Sequence, residues 1–308
     1  MKNKILIIGT GALGGFYGAL LAKAGAEVSV VCHSEYEYVK QNGINIISSI
    51  FGNWTFTPSQ VLQKPEDYSD TADFVLLCTK VIPSLDRVAL IKPAMKPGTT
   101  LVFIQNGVEI EQELVLAYPE YEIISGLAYI CCNRISKGHL LHSAYGRLTL
   151  GSLTDSATSK IENLITLFKA SKLECFLVDN IIAERWKKCV WNAAFNPISV
   201  LSGGLLTLSI LQSQESLVRQ LMNEICLIAS ATGHQVSDDI IDLNIANTYA
   251  IDTYKTSMLE DFEHGRPMET EAILGNALLA AKKVGIDSPH LETVYRLMKL
   301  RELKLTLP

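Results

Sequence analysis

A lysine and two asparagines stand in line at Lys188, Asn192 and Asn196, within Arg185-Trp-Lys-Lys-Cys-Val-Trp-Asn-Ala-Ala-Phe-Asn-Pro197. Their i, i+4, i+8 spacing puts all three on one face of a helix. The segment is otherwise apolar (Val190, Trp191, Ala193, Ala194, Phe195). Amides in such surroundings need partners, and a bound polar ligand is one way to supply them. The alternative is a solvated stripe or a set of helix–helix hydrogen bonds. Lys187 turns about 100° away from this line and reads as a surface lysine.

A second set opens the chain. Gly9, Gly11 and Gly14 form G-x-G-x-x-G between the apolar run Lys4 to Ile8 and a helical pattern over Ala12 to Lys23. Such glycines allow a sharp turn out of a strand, close approach of a diphosphate to the backbone, and tight packing of helix on sheet. The helix N-terminus then offers unpaired N–H groups to an anion. The strand before and the helix and second strand after (Glu27 to Cys32) favour a dinucleotide site over a plain glycine turn.

A third set lies near the C-terminus. Ser257 and Asp261 are four apart, and Gly265 and Pro267 end their helix. Glu269 and Glu271 begin the next one, where the dipole favours carboxylates. That placement would explain them without any function, so both readings stay open here. The histidines show no ligand spacing, and the sequence contains no P-loop, G-x-S-x-G or H-E-x-x-H, so no metal site is expected.

Short apolar strands alternate with helices in the first part of the chain. Strands are predicted at 4–8, 27–32, 44–48, 54–57, 73–78, 99–104, 122–131, 140–143, 148–150 and 175–178. Helices are predicted at 12–23, 109–117 and 156–170, and another with Pro83 in its first turn, ended by the Pro93 to Gly98 stretch. From about Asn180 long apolar periodicities replace them, at 181–201, 213–232, 239–262, 268–284 and 288–299. The fold class is therefore α/β: a Rossmann-type, doubly wound, mostly parallel sheet in residues 1–179, followed by an all-helical domain in residues 180–308. Gly9, Lys80 and Asn106 fall at carboxyl ends of strands, where such sheets bind ligands. The expected site is the cleft between the two domains.

Composition narrows the function classes. The 308 residues carry a net charge of −5, which gives no basic stripe for nucleic acid. The longest charge-free run, Cys189 to Gln214, is broken by Asn192, Asn196, Pro197 and Gly203-Gly204, so no membrane span is expected. Seven cysteines without a C-x-x-C pair read as reduced thiols of a cytoplasmic protein. Beyond Cys32 the sequence runs His33-Ser34-Glu35. Glu35 is thus the nearest acid for a ribose 2′-hydroxyl, which leaves NAD and NADP both open.

Taken together, these residues resemble the ketopantoate reductase (2-dehydropantoate 2-reductase) family over essentially the whole chain. The discriminating set is Gln105-Asn106-Gly107, Trp186-x-Lys188-x-x-x-Asn192-x-x-x-Asn196-Pro197, Thr256-Ser257-Met258 and Gly265-Arg266-Pro267-Met268-Glu269. The resemblance implies NADPH as cofactor, with NADH as the alternative, and a small 2-oxo acid as substrate. By it, Lys188 is the catalytic lysine, and Glu269 sits against the nicotinamide ribose and the substrate hydroxyl. Asn192, Asn196 and Ser257 hold the substrate. Gly9, Thr10, Gly11, Ala12, Leu13, Gly14, Lys80, Asn106 and Cys131 face the cofactor, with Lys80 reaching the 2′-phosphate. In that chemistry an ammonium stabilises the charge developing on a ketone oxygen and donates the proton. Desolvation would lower its pKa while Glu269 opposes the shift. The chain departs from the family pattern at His33, where an arginine is frequent, at Tyr254, where an asparagine is expected, at Met268, where a threonine is usual, and at Gly203 to Leu206. The resemblance leaves room for a homodimer, for a different 2-oxo acid, and for a protein that senses NADP(H) without turnover.

Overall fold

The computed structural model describes residues 2–154, 158–250 and 254–306. Two compact units emerge. The first comprises Met1–Lys80, Leu85–Gln105 and Glu111–Ile181; the second comprises Val81–Ser84, Asn106–Ile110 and Ile182–Pro308.

The first unit runs β1 (Lys4–Ile8), α1 (Ala12–Lys23), β2 (Glu27–Val31), α2 (Tyr36–Asn42), β3 (Ile44–Ser48), β4 (Trp54–Phe56), β5 (Val61–Leu62), β6 (Phe74–Leu77), α3 (Arg87–Ile91), β7 (Thr100–Ile104), α4 (Gln112–Ala117), β8 (Glu122–Ser136), β9 (His139–Ser152), α5 (Thr158–Ala170) and β10 (Cys175–Leu177). Among the described residues these strands form one sheet in the order β4-β3-β9-β8-β7-β6-β1-β2-β5, with β10 beside β9. The pairs from β8 through β5 are parallel, whereas β8–β9 and β3–β4 are antiparallel. Ile5 and Ile7 point into the core beneath α1 and α5. Leu6 and Ile8 are buried as well, so the strand is covered on both faces, as its unbroken apolar run requires. Helix α1 is glycine-rich and intrinsically weak. It holds through complete burial of Phe16, Tyr17, Leu20 and Leu21.

The predicted strands 122–131, 140–143 and 148–150 are instead one long hairpin, β8 and β9, closed at Gly138 with φ +66°. The polar residues Asn133, Arg134 and Ser136 lie within β8, which is half exposed there and so lacks an apolar signature. Helix α4 starts at Gln112 rather than Glu109, whose φ of +55° excludes helix. The predicted helix start at Ser156 lies outside the described residues.

The second unit contains α6 (Ile181–Leu201), α7 (Thr207–Ala231), α8 (Ile240–Ala250), α9 (Ser257–Glu263), a π-helical turn (Glu271–Gly275), α10 (Asn276–Val284) and α11 (Pro289–Thr306). Its core gathers Trp186, Phe195, Met222, Ile225, Ile228 and Leu274. Helix α7 begins six residues before the predicted Ser213 and breaks at Gln214, which has φ −136° and ψ 42°. The helix predicted over 239–262 is two helices, with 251–253 outside the described residues. Thr256 caps the second, its Oγ1 accepting from Leu259 N at 3.1 Å. The helix predicted from Met268 opens with the π turn instead.

Candidate active site

In the first unit the glycine loop has the geometry its sequence requires. Gly9 has φ +97°, and a Cβ there would lie 2.7 Å from Thr79 N. A Cβ on Gly14 would lie 2.2 Å from Gly9 O, so α1 can start where it does only without a side chain at that position. Nothing lies within 4 Å of the Cβ position at Gly11. Gly11 is also the N-cap of α1, without a side-chain cap and without an acid in the first turn. An open approach to uncapped N–H groups at the start of a helix fits a diphosphate. Thr10 Oγ1 donates to Val31 O at 2.9 Å, which leaves the Cys32 thiol, 2.7 Å away, to donate to Thr10. Burial pushes Cys32 up to about 11, so it remains a thiol. Ala12 and Leu13 pack on the core with their side chains, leaving only their backbone to face a ligand. Cys131 lies half-buried in β8, and Cys132 beside it reaches Ala12 O with its sulfur at 3.7 Å. Lys80 is half-buried just past β6.

Glu35 does not stand free at the tip of β2. It is 8% exposed. Its Oε1 pairs with Arg134 NH1, and its Oε2 accepts from Gly138 N at 2.9 Å. This carboxylate is spent on docking the β8–β9 hairpin against the start of α2.

The second unit assembles the reactive groups. Lys188 Nζ donates to Asn106 Oδ1 at 2.8 Å. Asn106 Nδ2 in turn donates to Glu269 Oε2 at 3.4 Å, and Val81 N donates to Glu269 Oε1 at 3.0 Å. Val81 and Asn106 follow β6 and β7 by four and two residues. Lys188 is half-buried in α6. Desolvation first, and the neighbouring Arg185 guanidinium second, lower its pKa from the ordinary 10.5 to about 7, while Glu269 pulls the other way.

The Gln105-Asn106-Gly107 motif divides its tasks. Gln105, buried in the first unit, donates to Thr79 O at 2.7 Å and accepts from Arg87 NH1 at 2.8 Å, fixing the end of β7. Asn106 carries the hydrogen bonds to Lys188 and Glu269. Gly107 has φ +108°, and a Cβ there would meet Ala272 O at 2.6 Å. That closeness lets Val108 N donate to Ala272 O at 3.0 Å, and it seats the loop on the π turn. Arg185, buried three residues before Lys188, donates to Gly107 O at 3.3 Å. Arg185 and the Val81 amide were not picked out by sequence reasoning. For Arg185 the signal was available, since i, i+3 places it on the face of Lys188.

Asn192 and Asn196 are 8% and 2% exposed. Their side-chain amides form no hydrogen bond within the chain among the described residues, yet they are not among its fully enclosed unpaired polar atoms. Polar groups so deep in a helix face are ordinarily hydrogen-bonded, so these two amides mark the face as one suited to a polar ligand. Ser257 is exposed at the first position of α9. The preceding Thr256 is tied to Ser199 Oγ at 2.7 Å, and Ser199 to Asn196 O at 2.7 Å, so the start of α9 is fixed to the asparagine line of α6. Tyr254 packs edge-on against Trp191, with ring centroids 5.6 Å apart. Met268 lies in the hydrophobic core. Asp261 pairs with Arg266 Nε at 2.9 Å to close the Gly265 turn. Glu271 takes Tyr295 and Lys299, so of the two neighbouring glutamates only Glu269 joins the lysine. Lys187 pairs with Glu184 on the surface at 2.6 Å.

A dinucleotide-type sheet in a chain that also carries a lysine of lowered pKa, held by an amide and a carboxylate, defines a nicotinamide-dependent oxidoreductase. The chain belongs to the ketopantoate reductase family: the description "Ketopantoate reductase PanE/ApbA" matches residues 5–155, and its C-terminal counterpart matches residues 180–302. A 2-dehydropantoate 2-reductase of Nostoc sp. is 33% identical, over 97% of this chain and 95% of its own. The crystal structure of 2-dehydropantoate 2-reductase from Methylococcus capsulatus is similar at 50% identity and a TM-score of 0.93, covering 99% of this chain and 98% of that one. D-mandelate dehydrogenase, solved with NADH and anilino(oxo)acetate, shares the fold at 20% identity and a TM-score of 0.89, covering 99% and 100%. Among the described residues no helix is long and apolar enough to cross a membrane.

Proposed function

We propose that this chain reduces 2-dehydropantoate to pantoate with NADPH, a step toward pantothenate and coenzyme A. The observation that carries the reading is Lys188, whose lowered pKa and fixed hydrogen bond to Asn106 suit an ammonium that must give up a proton near neutrality. Bound NADPH supplies hydride from nicotinamide C4 to the ketone carbon. Lys188 donates the proton to the ketone oxygen and stabilises the charge that develops there. Asn106 orients the ammonium, and Glu269 keeps part of it protonated while binding the nicotinamide ribose and the product hydroxyl. Asn192 and Asn196 hold the polar groups of the substrate, and Ser257 binds its polar end. Gly9, Thr10, Gly11, Ala12, Leu13 and Gly14 cradle the diphosphate, with Lys80, Asn106 and Cys131 completing the cofactor side. Seven free thiols suit a cytoplasmic enzyme.

A second reading, reduction of a different 2-oxo acid by the same machinery, is favoured by the Tyr254 ring, which packs on Trp191 of α6 where the family pattern has an asparagine. NADPH oxidation measured with a panel of 2-oxo acids, and repeated with NADH, separates the two. The first reading expects 2-dehydropantoate to give the highest kcat/KM. A larger or aromatic oxo acid ahead of it by tenfold would replace the first reading with the second. Lys188→Ala is expected to lose about 10²–10⁴-fold in kcat while still binding NADPH; near-normal turnover would remove Lys188 from the mechanism.

A further inference from the structure

The first unit gathers an unusual set of groups around the tip of β2. Thr10 of the glycine loop bonds to Val31 O and the Cys32 thiol. From the other side β8 comes in, with Cys132 reaching Ala12 O at 3.7 Å. Two residues further along the same strand, Arg134 places its guanidinium on Glu35. Thr10, Ala12, Cys32 and Glu35 border the place where a doubly wound fold receives the adenosine ribose. There an acid at the strand tip accepts from a 2′-hydroxyl, or an arginine nearby accommodates a 2′-phosphate. In this chain the acid is buried, charge-neutralised by Arg134 and bonded to Gly138 N at 2.9 Å. The arginine has a side chain 33% exposed, and His33 and Ser34 beside it are exposed.

We propose that Arg134, presented from the β8–β9 hairpin, recognises the 2′-phosphate of NADPH alongside Lys80, and that Glu35 is the holder of Arg134 rather than a ribose ligand. Guanidinium is the group best matched to a phosphate, because its planar fork donates two parallel hydrogen bonds. The ion pair to Glu35 keeps the guanidinium at the strand tip, but its carboxylate also competes with an incoming phosphate for that charge. The proposal rests on the NADPH reading above and names a residue behind it, one that lies about a hundred positions from β2 in the chain.

The test is calorimetric titration of the full chain with 2′,5′-ADP and with 5′-AMP, which differ by the 2′-phosphate and need no turnover. The parent protein is expected to bind 2′,5′-ADP more tightly. Arg134→Ala should weaken 2′,5′-ADP about tenfold or more while leaving 5′-AMP unchanged. Glu35→Gln, which frees the guanidinium from a competing charge and keeps an acceptor for Gly138 N, should tighten 2′,5′-ADP and leave 5′-AMP alone. Circular dichroism establishes that each variant is folded, and if Arg134→Ala is not, Glu35→Gln decides. If the parent prefers 2′,5′-ADP and the folded variants keep its ratio, Arg134 is overturned while the NADPH reading stands. If the parent shows no preference, the NADPH reading itself fails and takes the proposal with it.

Discussion

Replacing Lys188 by methionine should stabilise the protein and, on the proposed mechanism, cost about 10²–10⁴-fold in kcat. The lysine keeps its ordinary pKa of 10.5 when unfolded but falls to about 7 when folded. Between those values the unfolded chain binds the extra proton, so the contribution of this group to stability rises with pH across that window. At pH 7 the penalty for keeping a lysine there amounts to about 4 kcal/mol, and at pH 9 to about 2 kcal/mol. A methionine fills similar space without the charge. It forfeits the hydrogen bond to Asn106, at a cost of about 1 kcal/mol. Water reaches the half-buried lysine and reduces the gain further. The expected outcome is a variant about 2 kcal/mol or more above the parent in urea unfolding at pH 7, with that margin shrinking by about 2 kcal/mol at pH 9. Tryptophan fluorescence from Trp186 and Trp191, both in α6, follows the transition where the change is made. A margin that stays flat between the two pH values would refute the idea that Lys188 folds against a proton-linked penalty.

Three further outcomes follow from the same geometry. If Lys188 is the proton donor proposed above, kcat/KM of the forward reduction should fall as pH rises through about 7; Glu269→Gln removes a group pulling that pKa up, so the falling limb should move to lower pH, and a limb that moves upward would contradict the assignment. Asn192→Ala and Ser257→Ala should mainly raise KM in steady-state assays, and unchanged KM in both would displace the substrate from the face of α6. Gly107→Ala should destabilise the fold by about 1–3 kcal/mol in thermal unfolding, since φ is +108° and the added Cβ would sit 2.6 Å from Ala272 O.

Much of the fold was legible because its signals are local. The run Lys4–Ile8, the helix Ala12–Lys23 and the 21-residue helix Ile181–Leu201 coincide with their predicted bounds, each marked by unbroken burial or by glycine and periodicity. The hairpin β8–β9 was not legible in full, since its distal half is half exposed, polar and bulged. Its partner is β3, some 94 residues away in sequence, so no local pattern announces that β3 extends the sheet. Helix α2 went unpredicted for a related reason: of its seven residues only Val39 is buried, which leaves no apolar period to read.

For the site, the spacing of Lys188, Asn192 and Asn196 was readable because helical geometry alone relates them. The state of Lys188 was not. It depends on Asn106, 82 residues earlier in the chain, on Glu269, 163 residues beyond Asn106, and on Arg185 one turn back. Enclosure lowers its pKa and the nearby carboxylate raises it, so the direction turns on how fully the lysine is desolvated and on the enclosed arginine beside it, neither of which the sequence displays. Gly107 ties these groups together. Its positive φ and its contact with Ala272 bring the Asn106 loop onto the π turn just beyond Glu269, and the same loop carbonyl binds Arg185. One backbone conformation therefore holds both the group that raises the lysine's pKa and the group that lowers it. A disturbance at Gly107 should accordingly reach the pH profile of turnover even though that residue bears no side chain to react.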